Sequence, residues 1–156
     1  MAWIFALNAE CGERETHARD LARHFDGWPV RIFSDGVGWW CGVVPEGLSE
    51  TGANTAAEAT AMTAAGRRLY WQLRTAPPVY RYAIAGVETD EFRTYDQLMA
   101  EEDLTRFPGL VVGEDIWAAT GRRAEFSDFA PGYRWIPYRG ETRELRGTPN
   151  APRRSD

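Results

Sequence analysis

Hydrophobic positions along this chain change their period several times, and each change marks an element. Residues 2–8, AWIFALN, place Trp3, Phe5 and Leu7 on one side and Ile4 and Ala6 on the other. Apolar residues on both faces predict a central strand covered from both sides. Residues 13–25 switch to helical spacing, with Ala18, Leu21, Ala22 and Phe25 as the inward stripe, Glu13 and Glu15 in the first turn and Gly27 as the stop. Residues 28–44, WPVRIFSDGVGWWCGVV, alternate again around Asp35-Gly36. Asp-Gly favours a two-residue hairpin turn, which predicts a register of Ser34 opposite Val37, Ile32 opposite Trp39 and Val30 opposite Cys41. Trp39 and Trp40 then point to opposite faces. Pro45-Glu46-Gly47 breaks that strand, and residues 47–54 read as a loop.

A second helix opens at the capping-box pattern Thr55-x-x-Glu58, with Asn54 as an alternative cap, and runs to Thr75 before Pro77-Pro78 stops it. Its stripe is Ala59, Met62, Gly66, Leu69 and Leu73, and the small Ala59 and Gly66 permit close approach to a sheet. Residues 79–87, VYRYAIAGV, form a fourth strand. The order βαββαβ with a central antiparallel hairpin predicts an α+β, ferredoxin-like core: a four-stranded antiparallel sheet with both helices on one face.

Beyond this 1–87 core the pattern is less regular. Thr94-x-x-Gln97 opens a short helix to Glu102, Pro108-Gly109 turns, residues 110–112 (LVV) suit a short strand, and residues 114–120 form a helical turn closed by Gly121. Pro131-Gly132 precedes a last strand in YRWIPY. The expected layout is one domain, 1–141, whose extension 88–141 packs across the open sheet face, followed by a frayed tail, 142–156. A second copy of the chain on that face, giving a homodimer, is the other way to cover it.

Composition narrows the function more than the elements do. The chain has 156 residues, a formal net charge of −5 and seven tryptophans. An acidic balance argues against phosphate-driven nucleic-acid binding, and the aromatic–basic pattern of RNA-recognition sheets is missing. All eighteen basic residues are arginine, so lysine Schiff-base and P-loop lysine chemistry are excluded. The start MAWIFALNAE carries no leader pattern, and no apolar run reaches the ~20 residues of a membrane span. A cytoplasmic, bacterial-type binding protein with free Cys11 and Cys41 thiols is the expectation. Dinucleotide, Walker, nucleophile-elbow and HExxH motifs are absent from the sequence.

The residues with chemistry to offer are few. Cys11, between the first strand and helix, is placed where a helix N-terminus lowers a thiol pKa, with His17 nearby as a base. A strand cysteine such as Cys41 is more often a small core hydrophobe. His17 and His24 lie seven residues apart on a helix, two turns or ~10 Å, so one metal ion cannot take both. No cofactor or metal is implied. Carboxylates cluster at Glu88-x-Asp90-Glu91, Glu101-Glu102-Asp103 and Glu114-Asp115, among Phe92, Tyr95, Phe107 and Trp117. Aromatic anchors with charges that steer an encounter describe a surface for a basic protein partner. The expected function is therefore a non-enzymatic acidic protein-binding module, such as an inhibitor or immunity protein covering a basic cleft. Its contact set is Asp90, Glu91, Tyr95, Glu101, Glu102, Asp103, Glu114, Asp115 and Trp117, with Trp39 or Trp40 as a further contact. The alternative is a small enzyme or ligand-binding domain using Cys11 and His17 or the carboxylates of residues 88–115.

Overall fold

A computed structural model of the chain describes residues 4–48, 55–87 and 89–141. The first strand, β1 (Phe5–Glu10), lies between β3 (Trp39–Val43) and β4 (Tyr82–Val87), antiparallel to both. The edge strand β2 (Val30–Ser34) pairs with β3. The sheet does not stop at four strands. β5 (Val111–Gly113) adds to β4 through Tyr82↔Val112 and Ala83↔Val111, and β7 (Tyr133–Trp135) and then β6 (Ser127–Ala130) complete a seven-stranded antiparallel sheet in the order β2-β3-β1-β4-β5-β7-β6. The four-stranded, two-helix ferredoxin-like core expected from the sequence is therefore incorrect. The fold is α+β with four α-helices, and the C-terminal segment lengthens the sheet instead of only lying across it. The free edge of β4 supplies the reason, since its unpaired backbone groups are a template for a further strand.

Two helices line one face. In α1 (Glu15–His24), Ala18 and Leu21 are buried and the exposed side carries the ion pairs Arg19–Glu15 and Arg23–Asp20. In α2 (Ala56–Leu73), Thr55 and Glu58 form a reciprocal capping box, satisfying two N-terminal donors. Gly66 lets a neighbour come close, but that neighbour is not a strand: a Cβ there would sit 2.9 Å from Cζ of Tyr138, in the segment after β7. The core between these helices and the sheet contains Phe5, Leu7, Ala9, Cys11, Cys41, Met62, Leu69 and Ala83, with Trp39 packed against it.

The opposite face is covered by α3 (Tyr95–Met99), α4 (Glu114–Ala119) and two 3₁₀ turns at Thr89–Glu91 and Leu104–Arg106. Leu98, Leu104 and Ile116 from these elements pack with Trp40, Tyr82, Ile84 and Val112. Trp39 and Trp40 thus serve opposite faces. β1 itself is not apolar on both sides: its second face continues from Ala6 into Asn8 and Glu10, both fully buried. Asn8 Nδ2 donates to Thr89 Oγ1, and that hydroxyl donates to the Ala6 carbonyl, which ties the first 3₁₀ turn to the strand.

The hairpin register differs from the two-residue prediction. Ser34 faces Trp39, Ile32 faces Cys41 and Val30 faces Val43, closing a four-residue loop, Asp35–Gly38. The cause is the Asp35 carboxylate, whose Oδ1 accepts from the N–H groups of Val37 and Gly38 while Oδ2 accepts from the Trp40 indole. Asx-type bonding of this kind stabilises a wider loop than a type I′ turn. The slip is two residues, so every side chain keeps its face.

Candidate functional site

Two places bring the sequence-predicted residues together, and they lie on different parts of the fold. The first is at the C-terminal end of β1. Glu10 is 0% exposed and clamped: Arg81 Nε donates to Oε1 (2.7 Å), Arg81 NH2 donates to Oε2 (2.6 Å), and the Gly12 N–H donates to Oε1 (3.0 Å). The Arg81 guanidinium stacks 3.9 Å from the centre of the Tyr95 ring. Fork-to-carboxylate pairing plus ring stacking fixes a guanidinium in one orientation. Cys11 and His17 line the adjacent cleft, of about 380 Å³, with Gly12, Tyr80 and Arg81.

That cleft does not carry the thiol chemistry its residues suggest. Cys11 is 2% exposed and its Sγ contacts the Ala9 carbonyl at 3.7 Å. Burial first, then the neighbouring Cys41 and Glu10, push its thiol far above the ordinary range, so the thiolate needed for attack does not form near neutral pH. Burial likewise pushes Cys41 up to about 12. Arg81, the cation that lowers the Cys11 pKa, is itself taken up by Glu10. Both cysteines are free and sit in the core.

The second place is the outer side of the layer built by α3, α4 and the 3₁₀ turns. Glu101, Glu102 and Asp103 line a cleft of about 490 Å³ with Gln97 and Arg106. Glu101 accepts from Arg93 and Arg106, and the Arg93 bond holds its carboxyl below the usual range. Asp103 caps the 3₁₀ turn through the Thr105 hydroxyl and N–H, which lowers its pKa, and it also meets Arg123. Glu91, Glu102, Glu114 and Asp115 are exposed; Glu114 lies 4.0 Å from Arg134, and Asp115 accepts from the Ile116 N–H. The Asp90 side chain and Glu88 lie outside the described residues. Comparison with family models, with curated proteins and with solved structures finds no match.

The predicted aromatic contacts are less available than the carboxylates. Tyr95 is half-buried beneath Arg81. Trp117 is half-buried beneath the Arg134 guanidinium, 3.9 Å from its ring centre, and its indole donates to the Arg123 carbonyl. Trp40 is buried, with Phe33 stacked on it at 6.0 Å. No motif in the sequence marks the Glu10–Arg81 clamp or the outward surface of α2. Trp71 is 76% exposed there; the signal available was its position off the Ala59–Met62–Gly66–Leu69–Leu73 stripe. Among the described residues no three His, Cys, Asp or Glu side chains gather as metal ligands, and no helix is long and apolar enough to cross a membrane.

Proposed function

We propose that this chain is a non-enzymatic protein-binding module whose contact surface is the acidic layer of α3, α4 and the 3₁₀ turns within residues 89–141, acting as an inhibitor or immunity-type protein over a basic cleft of its partner. The observation that carries this reading is the placement of charge. Residues 89–141 hold eleven carboxylate side chains against six arginines, which equals the whole formal net charge of −5. Four of the six arginines there are engaged locally: Arg93 and Arg106 with Glu101, Arg123 with Asp103 and Glu125, Arg134 with Glu114 and Asp128. Glu91 and Glu102 remain exposed beside them. A field of one sign on one side speeds and orients the approach of an oppositely charged partner.

The test is direct. Products of genes adjacent to this chain's own are expressed, and binding is measured by calorimetry with wild type and a Glu102→Arg/Glu114→Arg variant. The expectation is a basic partner whose affinity falls at least ten-fold in the variant and weakens with added salt. Unchanged affinity in the variant, or turnover by the isolated chain lost in Cys11→Ser, overturns the reading.

A further inference from the structure

The outer side of the α1–α2 layer carries a second surface of the opposite sign. A groove of about 540 Å³ is lined by Trp28, Arg67, Arg68, Trp71, Gln72 and Thr75. Arg68, Trp71 and Gln72 follow the three- and four-residue spacing of one helix face, and Thr75 continues it just past the helix end. Trp71 projects into solvent at 76% exposure, beyond any other large apolar side chain described. The groove beside it is firmly built. The Trp28 indole N–H donates to Gln72 Oε1 (2.9 Å), Gln72 Nε2 donates to the His24 carbonyl (2.9 Å), and the His24 ring bonds the Gln72 carbonyl (2.8 Å). Arg68 lies 5.5 Å over the Trp28 ring and Arg67 lies 6.0 Å from the Tyr138 ring centre. Among the described residues neither guanidinium has a carboxylate partner, unlike Arg19, Arg23, Arg81, Arg93, Arg106, Arg123 and Arg134.

We infer that this groove docks an acidic, extended segment of a partner protein. An apolar or aromatic side chain lies against Trp71 and Trp28, and flanking carboxylates pair with Arg67 and Arg68. Trp and Arg are the residues that most often dominate binding energy when they become fully desolvated at an interface. Two guanidiniums without a carboxylate partner among the described residues, beside the exposed Trp71 and the half-buried Trp28, leave an anionic and apolar ligand as the complement. A second copy of the same helix face would oppose arginine to arginine. A nucleic acid strand would bring a run of phosphates to a protein of net charge −5, an unfavourable pairing. The surface lies on the other side of the sheet from α3, α4 and the 3₁₀ turns, so this inference stands independently of the function proposed above.

The experiment uses the whole chain and an array of fluorescein-labelled hexapeptides, each with four Glu or Asp residues around a varied central pair. Binding is read by fluorescence anisotropy. At least one peptide with a central Leu, Phe or Trp should bind saturably. Its affinity should fall ten-fold or more in Trp71→Ala and in Arg67→Glu/Arg68→Glu, and stay within two-fold in Arg19→Glu, a matched charge reversal on α1. Circular dichroism and the indole N–H resonances of the other tryptophans check that Trp71→Ala remains folded. The inference is overturned by no saturable binding across the array, by equal binding to Trp71→Ala, by equal binding of the same peptides with Lys in place of each Glu and Asp, or by tighter binding of a single-stranded oligonucleotide at the same residues.

Discussion

Gly38→Ala is the most incisive perturbation the fold offers, because one methyl group links the hairpin loop to the buried ion pair. Gly38 does not need a positive φ; glycine is there for space. An added Cβ would press into Glu10 Oε2, lie 3.0 Å from Glu10 Cδ and 3.3 Å from the Gly12 carbonyl oxygen. A glutamate normally swings aside at little cost. Here its oxygens are held by three donors and its side chain has no exposed surface. Displacing it gives up most of the Arg81 pairing. Removing one member of a buried pair costs about 3–5 kcal/mol, and the low end applies because Arg81 remains 32% exposed and can turn to water. Alanine also stiffens the unfolded chain, an offset of about 0.4–1 kcal/mol. The net expectation is a loss of about 2–3 kcal/mol, large against the ~5–15 kcal/mol by which domains are stable, measured by urea unfolding at pH 7. Glu10→Ala alone should cost about 3 kcal/mol by the same argument. In the Gly38→Ala background it should cost far less, because the pair is already disrupted and the new methyl occupies vacated space. Single effects that add to within about 0.5 kcal/mol, or a Gly38→Ala protein as stable as wild type, would refute the link.

Three further outcomes follow from the geometry. Partial burial works to raise the Asp35 pKa, and the bonds from the Trp40 indole and the Gly38 and Val37 N–H groups outweigh it, so the carboxyl sits below its ordinary value. A lowered folded-state pKa adds stability that is present above the unfolded value of about 3.9 and is lost as pH falls through the folded one. The urea midpoint gap between wild type and Asp35→Asn should therefore be widest at neutral pH and narrow below about pH 4. Cys11 and Cys41 should resist a thiol-specific disulfide reagent at pH 8 in the native state and react at once in urea; rapid native labelling of Cys11 would restore the nucleophile reading. Gly66→Ala should destabilise by about 1–3 kcal/mol through overpacking on Tyr138, and Tyr138→Leu in that background should recover part of the loss in thermal unfolding.

Much of the chain announced itself locally. Both capping boxes, at Thr55 and Thr94, form with both reciprocal bonds in place, because their donors and acceptors lie within four residues of each other. The long-range architecture did not. β5 is three residues long, and β6 reads Ser-Asp-Phe-Ala with its first two residues exposed, so neither has the alternation that marks a strand. They exist because the β4 edge and each other's backbones are available, information that no local window contains. The hairpin loop shows the same limit at short range: Asp-Gly suggested a two-residue turn, and the Asp35 side chain chose a wider one by reaching the Trp40 indole. Among the site residues, the carboxylates of 89–141 were legible from composition. The engagement of Glu101 and Asp103 by arginine, and the outward Trp71, depend on which face each helix presents.

The polar second face of β1 explains why cover and charge reside in one segment. Asn8 and Glu10 need partners that an apolar lid cannot supply, since an unsatisfied buried polar group costs about 1–3 kcal/mol and a charge more. Thr89 accepts from the Asn8 amide nitrogen, leaving of that side chain only Oδ1 without a partner among the described residues, and Arg81, stacked over Tyr95, meets Glu10. The elements that bring Thr89 and Tyr95 are single turns and short helices, too short to be helical alone. They hold their shape because Leu98, Leu104 and Ile116 lock into the sheet beside Trp40 and Tyr82. The exposed Glu91, Glu102 and Glu114 ride on those same elements, or immediately beside them. Their positions are therefore set by the core directly beneath, so the proposed partner would meet a surface already ordered rather than one it must order itself, which would lower the entropic cost of association.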